Sequence, residues 1–196
     1  MKLLALICPV CGTWLKPGAE DVVWPCAQCG TAVSLSEAGV QSLEVQYALT
    51  ASPADDTTLT WLPFWLFNGR VHLSQRQTQS GSRGDQDAAT AFWAAPRRFF
   101  VPAWDIPQSQ AREIGVQLLQ TQPNYQAGDP PPAARFQPAI LAAADALKLI
   151  EFLILTLEAR RSDWLKQIEF HIEAGPATLW LLPARRTGQT WQLDTQ

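Results

Sequence analysis

Two stretches of the chain carry residues that could do chemistry together: Cys8-Pro9-Val10-Cys11-Gly12 and, with fourteen residues between the inner cysteines, Cys26-Ala27-Gln28-Cys29-Gly30. Two residues between the cysteines of a pair let both sulfurs reach one ion about 2.3 Å away. The glycine after each pair permits the tight turn that points backbone N–H groups at sulfur. Fourteen residues leave room for a short hairpin, just under the usual four-cysteine window of about fifteen to twenty. Four thiolates with no open position describe a structural ion, because a catalytic zinc keeps a place for water. The expectation is one structural Zn2+ held by Cys8, Cys11, Cys26 and Cys29. An iron centre on the same ligands and a redox dithiol are the alternatives.

The two C-x-x-C-G turns resemble the rubredoxin-type knuckles of zinc ribbons. The resemblance covers residues 8 to 34 and implies a metal and a local fold. Zinc ribbons occur in transcription factors, polymerase subunits, ribosomal proteins and accessory proteins, so it implies no single activity. Lys2 and Lys16 offset Glu20 and Asp21 in this segment. Zinc on four thiolates adds about -2, which makes the ribbon unattractive to phosphate. Trp14 and Trp24 suit either a ribbon core or a docking surface.

Little else composes a reaction. His72 and His171 each fall at a polar position of an alternating strand and are expected in solvent. Gly81-Ser82-Arg83-Gly84-Asp85 has glycines but reads as a mobile loop, without the strand and helix that make a phosphate cradle. No Ser, His and Asp spacing and no paired carboxylates stand out. Three arginine pairs, Arg97-Arg98, Arg160-Arg161 and Arg185-Arg186, would form an anion or acidic-partner site if folding united them.

The elements that must position these residues point to an α+β fold. Residues 1–36 form the ribbon, and residues 37–196 an antiparallel-sheet domain with two helices. Leu43 to Leu49 and Ile168 to Glu173 alternate at period two as half-buried strands. Leu59 to Phe67 is apolar on both faces and must be covered twice. Pro63 and Pro183 place their strands at an edge, a start or a bulge. Asp105 can cap a first helix that Pro107 opens, with Ala111, Ile114, Gly115, Leu118 and Leu119 on one face. A second helix runs from near Pro138 to Arg160-Arg161, with Asp145, Lys148, Glu151 and Glu158 as its narrow polar stripe. Residues 75–90 read as a flexible loop, and residues 121–138, with Pro130-Pro131-Pro132, as a stiff connector. Setting Leu59–Leu73 against Leu179–Leu193 matches leucine and proline positions and suggests a duplicated strand-hairpin unit, turning at Asn68-Gly69 and Thr187-Gly188.

Composition narrows the function. The 196 residues are 47% hydrophobic and 17% charged with a net charge of -3, enough for one core plus a small module and unsuited to bulk polyanion binding. Met1 to Cys8 imitates a lipoprotein signal, but its apolar run is short and Ile7 stands where a small residue is needed, so it reads as a strand entering the metal site. With all cysteines in the metal motif, a reducing, cytoplasmic setting is expected. Ile140 to Leu157 is interrupted by Asp145, Lys148 and Glu151 and falls short of the roughly 20 apolar residues a membrane-spanning helix needs. Nine tryptophans against two tyrosines exceed what such a core accommodates easily, so some should face a partner. Trp61, Trp65, Arg97, Arg98, Arg185 and Arg186 are the candidate partner-binding residues. The expected function is a non-enzymatic subunit, adaptor or scaffold that binds proteins or itself. A transcription- or RNA-linked accessory role for the ribbon, and peripheral membrane attachment through Ile140 to Leu157, are the alternatives.

Overall fold

In the computed structural model, residues 5–36, 39–49, 59–129, 136–188 and 190–194 are described. In chain order they form strands β1 (Val23–Pro25), β2 (Ala32–Ser36), β3 (Gly39–Ser42), β4 (Val45–Ala48) and β5 (Thr60–Thr78). Helix α1 (Arg83–Ala94), strand β6 (Arg97–Pro102), helix α2 (Gln108–Thr121), strand β7 (Ala127–Gly128) and helix α3 (Ala143–Ala159) come next. Strands β8 (Leu165–Ala174), β9 (Thr178–Thr187) and β10 (Thr190–Leu193) follow. The fold is α+β with the cysteine cluster at its N-terminal side. Among the described residues, no helix is long and apolar enough to cross a membrane.

Strand β5 organises the larger sheet, whose order is β6-β5-β9-β4-β7 with β10 beside β9 and β8 beside β5. Its strand pairings are antiparallel except that β4 runs parallel to β9, so the sheet is mixed rather than purely antiparallel. Phe64 faces Pro102 of β6 on one side and Trp180 of β9 on the other. Gly69 likewise faces Arg97 of β6 and Ala174 of β8. Strands β8 and β9 therefore lie in tandem along the same side of β5. Asn68-Gly69 is thus no turn but the place where β5 changes partner: the Gly175 N–H donates to Asn68 O at 2.8 Å. A Cβ on Gly69 would stand 2.3 Å from Glu173 O.

Both prolines lie where a neighbouring strand runs out. Pro63 O accepts from Ala103 N at 3.0 Å, one residue past the end of β6, and Pro183 O accepts from Asp194 N at 2.8 Å, one past β10. Each missing N–H falls where no ladder bond is needed. Around Leu62 opposite Leu182, Trp61 faces Pro183 and Pro63 faces Leu181.

The two faces of β5 feed two cores, as a strand apolar on both sides requires. Trp61, Trp65, Phe67 and Val71 join Ala146, Ile150, Leu153, Ile154 and Leu157 of α3 with Trp93, Phe99 and Val101. Leu62, Phe64 and Leu66 join Phe100, Trp104, Leu118, Tyr125 and Leu182 on the other face. Trp61 and Trp65 are 4% and 6% exposed, so both are core residues and not a docking surface. The Trp65 indole N–H donates to Leu141 O at 2.7 Å.

Several sequence expectations change. Residues 75–78 end β5 and residues 83–94 are helix, where a flexible loop was expected over 75–90. There are three helices among the described residues, not two. The Ser82 hydroxyl accepts from the Asp85 N–H, and the Asp85 carboxylate accepts from the Ser82 N–H at 2.7 Å, a reciprocal capping box. Gly81 to Asp85 does open a helix after a strand, but the Asp85 carboxylate takes the Ser82 N–H and hydroxyl and puts a negative charge at the cap. Helix α2 begins at Gln108 with Pro107 as its N-cap residue and no side-chain cap, so Asp105 does not cap it. In the expected connector, β7 pairs with β4 and Tyr125 is buried; Pro130-Pro131-Pro132 lies outside the described residues.

Candidate metal centre

Each knuckle is the same small construction. Gly12 N–H donates to Cys8 O at 3.0 Å and Cys8 N–H to Thr13 O at 2.9 Å. Gly30 N–H donates to Cys26 O at 2.8 Å and Cys26 N–H to Thr31 O at 2.9 Å. Gly12 and Gly30 take φ values of 72° and 73°, the left-handed region in which a side chain is strained. The first knuckle closes with Leu15 N–H on Leu6 O at 2.9 Å. The second lies between β1 and β2, whose hairpin β3 extends past residue 36 to Ser42.

The two knuckles bring the four sulfurs together. All lie within 4.8 Å of one another, with Cys8 Sγ 3.7 Å from Cys29 Sγ and Cys11 Sγ 3.6 Å from Cys26 Sγ. Tetrahedral ligands about 2.3 Å from a zinc ion are separated by about 3.8 Å, so four thiolates so placed could hold one metal ion. Cys8 and Cys26 are buried and Cys11 and Cys29 exposed. The hydroxyl and amide of Thr13, donating to Cys11 Sγ, hold its thiol down at about 6. Those of Thr31 lower Cys29 in the same way, while burial pushes Cys26 up to about 11. The threonine two residues after each pair's second cysteine is thus part of the site, a position that the cysteine spacing alone does not single out.

Comparison of the chain with protein-family models, curated proteins and solved structures finds no match. The geometry of the site therefore carries the functional argument.

A small core seats the site: Leu15, Trp24 and Val33 are buried with Cys8 and Cys26. Trp24 is 4% exposed, whereas Trp14 is 69% and Val10 62% exposed on the first knuckle. The two tryptophans of the N-terminal segment divide between core and surface. The N-terminal segment joins the larger sheet through Val23, which exchanges hydrogen bonds with Ala139 at 3.1 and 2.7 Å; Val23 and Ala32 belong to the main core.

The arginine pairs do not converge as a set. Arg97 opposes Gly69, near the middle of β5, and Arg185 follows Ala184, which opposes Thr60 at the start of β5. Nine residues of strand separate the two positions, roughly 30 Å. Arg98 donates to Asn124 Oδ1 and to Gln122 O, Arg185 to Asp194 at 3.1 Å, and Arg186 lies over Trp191. Arg160 pairs with Glu113 on α2. Arg97 and Arg161 do meet, both over the ring of Phe92. His72 and His171 face each other across β5 and β8, both exposed.

A buried ionic cluster lies beside Phe92. Arg76 donates from Nη1 and Nη2 to Asp163 at 2.6 and 2.9 Å and from Nε to Glu158 Oε2 at 2.7 Å. Glu158 Oε1 accepts from the Trp93 indole at 2.7 Å and from Arg161 Nε at 2.6 Å. Glu158 is 0% exposed, so it does not belong to a solvated stripe with Asp145, Lys148 and Glu151: α1 and the end of β5 cover it. The Arg76 guanidinium holds the Asp163 carboxyl below the usual range.

Proposed function

We propose that the chain is a non-enzymatic adaptor whose N-terminal segment is a zinc ribbon used as a rigid knob for docking onto a protein. Cys8, Cys11, Cys26 and Cys29 would hold one Zn2+, whose role is to brace the two knuckles. Four thiolates leave no open position for a substrate. The observation that carries the docking reading is the exposed Trp14 and Val10 on one knuckle, with Ile7 37% exposed beside them. Tryptophan dominates binding hot spots, and a folded ribbon holds these three side chains out at little entropic cost.

The experiment is purification of the full chain from its native source with its associated proteins, wild type against Trp14→Ala, with metal content measured on both. A protein that accompanies the wild type and is lost from the variant at equal zinc content is the expected result. A monomer with no accompanying protein in either case refutes the reading.

The outer face of α3 favours a second reading. Leu147, Phe152 and Leu155 are 40%, 62% and 40% exposed among Asp145, Lys148 and Glu151, which suits peripheral membrane attachment; liposome flotation tests it. The expected duplication of a strand-hairpin unit is not shown: β5 continues as one strand through Asn68-Gly69, whereas β9 pairs back onto β10 from Thr187 and Thr190.

A further inference from the structure

We infer that the recess beside Trp164 is a binding site for a small planar carboxylate. Trp164 occupies the turn between α3 and β8 with a φ of 54°, a conformation uncommon for any residue but glycine, asparagine or aspartate. The residue is 70% exposed. Neither the backbone nor the core is served by tryptophan there.

The surrounding structure enforces the conformation. Asp163 is fixed by its two bonds to Arg76. Its carbonyl accepts from Ser80 N at 3.2 Å, and the Trp164 carbonyl accepts from Gln79 N at 2.8 Å. A strained residue that its neighbours over-determine points to a role outside folding.

Beside Trp164 lies a shallow, half-open recess lined by Ala159, Arg161, Trp164 and Leu165. Arg161 commits Nε to Glu158, and among the described residues its Nη groups have no acceptor. Arg97 and Arg161 lie over Phe92, and with Arg76 they stand against the carboxylates of Glu158 and Asp163, leaving one positive charge in excess. Arg97 donates to the Phe92 carbonyl and lies 3.6 Å over its ring; among the described residues no carboxylate pairs with it. An anion is therefore favoured at the free edge of Arg161. A flat apolar body is favoured against the indole. An aromatic or other conjugated carboxylate meets both demands.

The test uses the full, metal-loaded chain and three probes: benzoate, cyclohexanecarboxylate and benzamide. The indole N–H signal of Trp164, assigned as the one missing from Trp164→Asn, is followed by two-dimensional NMR. The expected result is a saturable shift with benzoate in the millimolar range or tighter, at least tenfold weaker with the other two and lost in Arg161→Gln. Asparagine tolerates the left-handed conformation, so Trp164→Asn should melt higher by a few degrees while losing the benzoate response at every site. A non-saturable response, an equal response to benzamide, or a lower melting temperature for Trp164→Asn overturns the inference. The last outcome would make Trp164 a structural residue.

Discussion

Replacing Arg76 by methionine should do more damage at neutral pH than in mild acid. The Arg76 side chain is 6% exposed and its partners Glu158 and Asp163 are 0% and 2% exposed. Methionine fills much of the volume but leaves two carboxylates in a dry site. Glu158 retains Arg161 and the Trp93 indole, whereas Asp163 keeps no ion-pair partner among the described residues. Breaking a buried ion pair from one side costs about 3–5 kcal/mol. For a chain of this size that is a fall in Tm of roughly 6–20 °C.

The pH dependence follows from the direction of the Asp163 shift. In the parent its folded pKa lies below the unfolded value because Arg76 donates to it. The corresponding stability is complete above about pH 4 and lost as pH falls through the folded pKa. In Arg76→Met the buried carboxylate loses both hydrogen-bond donors and keeps only the weaker attraction of Arg161, so burial raises its folded pKa above the unfolded one. The variant's deficit is then largest at high pH and shrinks as acid protonates Asp163. Urea unfolding of parent and variant at several pH values between 8 and 5 measures this, with the difference taken at each pH so that any loss of metal cancels. A deficit under about 1 kcal/mol, or one independent of pH, would refute the electrostatic account of this cluster.

Further outcomes follow from other sites. In the proposed zinc site, Cys26→Ser should bring zinc from one equivalent to none by elemental analysis and melt the small core of Leu15, Trp24 and Val33, because metal binding in such modules contributes on the order of 10 kcal/mol. The α3 amides, which belong to the main core, should keep their hydrogen-exchange protection. Gly69→Ala should cost about 2–3 kcal/mol in urea unfolding, since the new Cβ would meet the Glu173 carbonyl oxygen of the paired strand. Ser82→Ala should cost about 1 kcal/mol and speed hydrogen exchange in α1, because its reciprocal cap with Asp85 is lost.

The features legible in the sequence are those with short-range causes. The cysteine spacing and turn glycines foretold four clustered sulfurs, and the two-faced strand foretold a double core. Helix α1 escaped because only Ala89 and Trp93 of it are buried, too few to make a period. Its signature was Ser82 three residues ahead of Asp85, the capping-box spacing. Asn68-Gly69 misled because a turn dipeptide also fits a point where two backbones crowd. Glu158 looked solvated because nothing local says that Trp93 and Arg76, 65 and 82 residues away, will close over it. The arginine pairs were ambiguous for the same reason: whether cations meet depends on sheet register.

The 19-residue β5 works as a spacer. Trp61, near its start, bridges to Phe136 three residues before the Ala139 that holds the N-terminal segment, and Thr78 at its end pairs with Leu165 beside Trp164. Seventeen residues of extended chain span roughly 55 Å. A macromolecule gripping Trp14 and a metabolite-sized acid lodged against Trp164 would occupy opposite ends of one beam and need not collide.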